Sequence, residues 1–185
     1  MGSQPDTGLL TVWRISNHQD LSGRGGLIAS GRWHSRPRAV MWCSDAPATA
    51  YAEILRHVGS PELLPDAVCL LKIVAPRWAR VDALDASHLP EDWRDDFGPG
   101  FTACQRAGDA WLASASAPLL KAPSVARPGA YNFLLNPTHR DADHFEIVDA
   151  FGPPLPDWAA DETSAEAGVF QRRGGNGVLA AGSDE

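Results

Sequence analysis

Residues 67–74, Ala67-Val68-Cys69-Leu70-Leu71-Lys72-Ile73-Val74, form an almost unbroken apolar run. Such a run predicts a central strand covered on both faces. The flanking sequence offers elements to cover it. Upstream, Leu9 to Ile15 alternates and predicts a strand, and Ala39 to Ser44 (AVMWCS) predicts a second. Asp45 can cap a helix with Pro47 in its first turn, running to about Val58 before Gly59-Ser60-Pro61 stops it. Within it, Tyr51, Ile54, Leu55 and Val58 follow the i, i+3, i+4, i+7 rule. Downstream, 75–99 reads as a loop anchored by Trp78 and Trp93, and Thr102 to Ser114 as a helix with Trp111 towards the core. Leu119 to Ala122, Tyr131 to Leu135 and Phe145 to Asp149 are three further short strands. Strands outnumber the two clear helices and interleave with them, which predicts an α+β fold.

The chain has 185 residues, enough for one domain with a core of its own. Its 17 glycines and 15 prolines favour turns and short strands over a helical bundle. A net charge of −7 gives no global basic field to hold a phosphate backbone, so direct nucleic-acid binding is not expected. Cys43, Cys69 and Cys104 lie far apart with no CxxC pair, which reads as reduced, buried thiols. No metal site is expected, because the histidines show no zinc spacing. The first residues lack a basic and an apolar signal region, and no apolar run reaches the length of a membrane span. The expectation is therefore a soluble, cytoplasmic protein. Residues 159–185, glycine-rich and acidic, read as a disordered tail after a domain over 10–158, with 1–9 as an N-terminal extension.

Several residues admit both a bland and a functional reading. Gly23-Arg24-Gly25 does not continue to a glycine at Ile28, so the dinucleotide fingerprint fails. Gly26 to Gly31 has P-loop spacing, but Arg32-Trp33 replaces Lys-Ser/Thr. A flexible loop followed by Gly31-Arg32-Trp33 remains, which on its own is a tight turn with a surface arginine. Arg14, inside an apolar strand, is either an edge residue with its head in water or an inward guanidinium suited to an anion. Glu53 lies opposite the apolar stripe beside Thr49, Arg56 and His57, on a face that is either solvated or lines a cleft. Ser124 reads as a turn hydroxyl without the nucleophile-elbow frame. His139 and His144 read as parts of a polar loop.

The order of these pieces carries more than any one of them. Trp13-Arg14-Ile15, Gly31-Arg32-Trp33, Trp42-Cys43-Ser44, Ala52-Glu53, Pro123-Ser124-Val125 and Asn132-Phe133-Leu134-Leu135-Asn136-Pro137 with His139 resemble the RES domain family over roughly residues 10–152. The resemblance implies an ADP-ribosyltransferase-like fold of short twisted β-sheets with a few packed helices. It implies a toxin of a toxin–antitoxin pair, held by an Xre-like helix-turn-helix antitoxin, that attacks NAD as substrate with no further cofactor. Reaction types compatible with it are NAD glycohydrolase, phosphorylase and ADP-ribosyltransferase. It places the catalytic residues at Arg14, Glu53 and Ser124 and the substrate-binding residues at Arg32, Gly31, His34, Trp42 and Asn132.

In that reading Arg14 and Arg32 clamp the pyrophosphate, Glu53 stabilises the cation forming on the ribose, Ser124 and Asn132 orient the sugar, and Trp42 stacks. The sequence departs from the family twice. His34 stands where Asn is usual, and Trp42 stands where Tyr is usual, keeping a ring but losing the phenol hydroxyl. A rival expectation is a RES-fold protein with weakened catalysis that only binds its antitoxin.

Overall fold

Cys69 to Val74 of the 67–74 run lie in an eight-residue strand, where Leu70, Leu71 and Ile73 are wholly withdrawn from solvent. The computed structural model describes residues 8–160. In chain order the elements are β1 (Leu9–Ser16), α1 (Gly25–Ile28), β2 (Met41–Ser44), α2 (Pro47–Val58), β3 (Cys69–Pro76), β4 (Val81–Ala83), α3 (Pro99–Ser114), β5 (Leu119–Pro123), β6 (Tyr131–Leu135) and β7 (Glu146–Phe151). The strands make one seven-stranded sheet in the order β4-β5-β6-β2-β1-β3-β7. Every pair is antiparallel except β4–β5. The fold is α+β, as its alternating strands predict.

Side-chain alternation divides the core by sheet face. One face gathers Val12, Met41, Cys43, Leu71, Ile73, Leu135 and Phe145. The other is covered in two halves. Cys104 and Trp111 of α3 pack with Trp33, Trp93, Leu120 and Leu134 over one half. Ala50 of α2 and Ala159 of the 157–160 turn pack with Leu70, Trp13, Ile15 and Trp158 over the other. The approach of α3 is close: a Cβ on Gly108 would lie 1.7 Å from the carbonyl oxygen of Trp33. That contact pins the 31–34 turn against the helix, and Gln105 Nε2 adds a hydrogen bond to the Gly31 carbonyl.

The two half-covers matter because the sheet is weakly joined between them. β1 and β2 share a single bridge, Trp13–Ser44, whereas β1 and β3 pair along the whole of β1. The register stops short of Arg14, whose Nη1 instead donates to the Trp42 carbonyl at 2.9 Å. An arginine between Trp13 and Ile15 thus has a physical place, at the seam where two strands cease to pair.

Several local expectations are corrected. Asp45 does not cap α2; Ala46 is the N-cap residue, and Asp45 Oδ2 accepts from the Tyr131 backbone N–H. The loop after β3 contains β4, a strand of three residues joined parallel to β5. Its two tryptophans part company: Trp93 is buried, but Trp78 is 60% exposed and anchors nothing in the core. The glycine-rich stretch is not a loop throughout, since Gly25–Ile28 forms a helical turn. The stripe Tyr51, Ile54, Leu55 and Val58 is only half-buried, while the start of α2 is deeply buried. All three cysteines are buried free thiols, and burial pushes Cys43 up to about 12. Among the described residues no helix is long and apolar enough to cross a membrane. The expected tail lies largely outside the described residues, as does most of the N-terminal extension.

Candidate functional site

A cavity of about 470 Å³ opens between the two helical half-covers, lined by Arg14, Gly31, Arg32, His34, Trp42, Glu53, Arg56, Asp96 and Asn132 among others. A second, of about 230 Å³, adjoins it and shares Arg14, Trp42, Glu53, His57 and Asn132. Together they make one cleft of a size typical for small-molecule sites. Three guanidiniums face two carboxylates in the larger cavity, although the whole chain carries −7. The cleft favours an anion.

Glu53 is placed by α2, whose polar face looks into the cleft. Its Oε1 accepts from Ser124 Oγ and from Asn132 Nδ2, each at 2.6 Å. Both donors are themselves fixed. Ser124 Oγ accepts from the Arg127 backbone N–H at 3.0 Å, and Asn132 Oδ1 accepts from Ser44 Oγ at 3.1 Å. Ser44, Ser124 and Asn132 are all buried. The carboxylate therefore keeps one oxygen in a preformed cradle, while Oε2 has no hydrogen bond among the described residues. Ser124 does not line either cavity. Its proton is committed to Glu53, so it positions the carboxylate. Asn132 engages Glu53 through Nδ2 and Ser44 through Oδ1, and it lines both cavities.

Arg32 behaves differently from the clamp expected of it. Its guanidinium donates to the carbonyls of Trp93, Asp95 and Arg94, and to Asp96 Oδ1 at 3.0 Å. Only 8% of it is exposed, and burial lowers its pKa. A planar fork with five N–H donors suits such a set of acceptors. Arg32 ties the 93–96 segment to the cleft wall. Arg14 makes one hydrogen bond among the described residues, to Trp42, and lines both cavities.

The two family departures touch each other. Trp42 Nε1 donates to His34 Nδ1 at 3.2 Å, and the other ring nitrogen lies 3.0 Å from the Ala29 carbonyl. An indole N–H can only donate, so Nδ1 accepts and Nε2 carries the proton. The ring is neutral, and burial holds its pKa below the ordinary histidine value. Gly31 allows the pair to form, because a Cβ there would come 2.6 Å from the Trp42 ring.

The residues expected in the site thus come together, apart from Ser124, which stands behind Glu53. Arg56, His57, Asp96 and Phe101 were not anticipated as lining residues. Arg56 and His57 were legible as neighbours on the face of Glu53; Asp96 and Phe101 had no signal. Among the described residues no group of three or more His, Cys, Asp or Glu side chains could hold a metal ion.

The chain is 37% identical over 150 residues to "Toxin Res" of Pseudomonas putida KT2440, covering 78% of this chain and 97% of that one. It is 33% identical over 140 residues to "Prs ADP-ribosylating toxin" of Sphingobium sp. YBL2, covering 71% and 85%. The toxin–antitoxin complex MbcT–MbcA of M. tuberculosis contains a chain of like fold, with a TM-score of 0.61 and 18% identity over 78% of this chain and 84% of that chain. The RES domain model matches residues 11–161. With that match over most of its length, the chain belongs to the RES domain family.

Proposed function

We propose that this protein is a toxin that consumes NAD by cleaving the nicotinamide–ribose bond, with Glu53 as its catalytic carboxylate. The observation that carries the reading is the Glu53 cradle: a carboxylate oriented by two buried donors, with its second oxygen turned to a cleft that favours anions. Loss of neutral nicotinamide leaves an oxocarbenium-like charge on the ribose, and a fixed carboxylate beside it stabilises charge that exists mainly in the transition state. Preorganisation is the useful feature, because Ser124 and Asn132 need not reorient as that charge develops. Arg14 supplies a cation for the phosphates, and Trp42 a ring for stacking.

The toxin reading draws on the names of the relatives, and a partner chain that restrains it draws on the complex in which the structural neighbour was solved. An Xre-like helix-turn-helix antitoxin is the partner that the family resemblance supplies. A second reading, transfer of ADP-ribose to a protein, is favoured by the Sphingobium relative's name. The test is to incubate the purified protein with NAD labelled on the adenylate and follow nicotinamide release, with and without inorganic phosphate, then with cell lysate. Nicotinamide release in buffer alone supports hydrolysis, and a requirement for phosphate supports phosphorolysis. Label on protein supports transfer. Intact NAD under all three conditions refutes the proposal.

A further inference from the structure

Of the three guanidiniums in the larger cavity, one has both terminal nitrogens engaged inside the protein and one sits at the strand seam. The third, Arg56, is different. It stands on α2 three residues after Glu53, so both project from one side of the helix. Its ion-pair partner among the described residues is Asp96 Oδ1, the same oxygen that accepts from Arg32. Asp96 is 61% exposed and the Arg56 side chain 32%.

We propose that Arg56, and not Arg32, joins Arg14 in receiving the substrate's pyrophosphate, and that Asp96 is the carboxylate Arg56 exchanges for that group. This rests on the NAD reading above and specifies how the cleft holds a dinucleotide. Three features support the exchange. A pair this exposed is weak, so its release costs little. Asp96 keeps its bond to the buried Arg32 when Arg56 leaves, so no carboxylate is stranded. A pyrophosphate offers two charges and several oxygens to a fork that now meets one carboxylate oxygen.

Spacing agrees with this assignment. Three residues along a helix advance about 4.5 Å. This is of the order of the distance from a ribose C1′ to its own 5′-phosphate. With Glu53 at the reacting ribose, Arg56 falls near the phosphate joined to that sugar.

The test is equilibrium binding of ADP-ribose, read by calorimetry on the full chain as wild type, Arg56→Gln and Arg56→Lys. Arg56→Gln is expected to weaken binding at least about tenfold. Arg56→Lys is expected to recover part of the loss, since lysine restores charge but not the fork. The melting temperature should move by no more than about 2 °C, because the lost partner is exposed. Binding by Arg56→Gln within about twofold of wild type overturns the assignment, and so does a wild type that does not bind ADP-ribose. A tenfold loss accompanied by a large drop in melting temperature makes Arg56 structural and also overturns it. NAD turnover is measured in parallel. A wild type that binds ADP-ribose through Arg56 yet leaves NAD intact defeats the cleavage reading and leaves the subsite standing.

Discussion

Glu53 and Arg32 occupy facing walls of one cleft, and each is gripped by residues far away in sequence, but with opposite consequences. Glu53 Oε1 takes both of its bonds, while Oε2 makes none among the described residues. Arg32 spends its fork on three backbone carbonyls and Asp96. One wall therefore presents a carboxylate with an oxygen left open, and the other converts charge into architecture. What separates them is not residue type but how many bonding positions the fold leaves open. A motif of Arg, Glu and Ser names the participants without saying which of them meets the substrate.

The sharpest way to break this contrast is Glu53→Gln, which keeps size and hydrogen bonding but removes the charge. Turnover of NAD is expected to fall roughly 10²–10³-fold, by analogy with loss of one preorganised electrostatic group. Ground-state affinity should change far less, since the cation is absent when substrate binds. The melting temperature should hold or rise slightly, because a carboxylate held ready in a cleft is not optimised for folding. A folded variant that turns NAD over within about threefold of wild type would make Glu53 a positioning residue only.

Arg32→Ala tests the other wall, and its expected signature is loss of stability. It strands the carbonyl of the buried Trp93, at roughly 1–3 kcal/mol for a buried group left unsatisfied, while the acceptors on the exposed Arg94, Asp95 and Asp96 can turn to water. A loss of about 1–3 kcal/mol corresponds to about 2–12 °C in melting temperature for a domain of this size. Arg32→Lys should recover little, because an ammonium cannot address a row of carbonyls with a planar fork. A variant that melts like wild type but loses substrate affinity would return Arg32 to the phosphate clamp.

Ser124→Ala lies between the two walls in kind and below both in size. It removes one of two donors to Glu53 and leaves the Arg127 N–H without its acceptor. A single hydrogen bond to a charged group is worth roughly 1.5–3 kcal/mol, and the Asn132 donor remains, so turnover should fall roughly tenfold. A loss as large as that of Glu53→Gln would show that the serine meets the substrate directly.

Much of this was legible in the chain before its structure. The apolar run at 67–74 and the alternation of Leu9–Ile15 identify β3 and β1, because burial leaves a direct periodic trace. The cleft was legible as a set of residues but not as a set of roles. Ser124 and Asn132 reach Glu53 across 71 and 79 positions, and no local pattern encodes such a meeting. The saturation of Arg32 was hidden because its acceptors are backbone carbonyls, which every sequence supplies. α1 escaped because two of its four residues are glycine, and β4 because three residues are too few to show a period. Asp45 looked like a helix cap by type, yet a strand partner, Tyr131, claimed its carboxylate.

The smallest expected effect concerns His34, which accepts a hydrogen bond from Trp42 in the cleft wall. Burial keeps its folded pKa below the ordinary value, and its Nδ1 is committed to the indole N–H. As pH falls through about 6.5, the unfolded chain takes up a proton at this position before the folded chain does. The unfolded state then binds more protons, so stability declines as pH falls from about 6.5 to the lower folded value, and levels off beneath it. Protonation of the folded ring would also turn Nδ1 into a donor facing a donor, which breaks the Trp42 bond. The melting temperature of wild type between about pH 7.5 and about pH 5.5 should therefore drop a few degrees more than that of His34→Asn, which lacks the titrating ring. Asparagine can still accept from the indole through its amide oxygen, so the difference isolates the proton and not the contact. Superimposable pH profiles would mean that the ring is not held neutral by burial, and that the His34–Trp42 pair is packing alone.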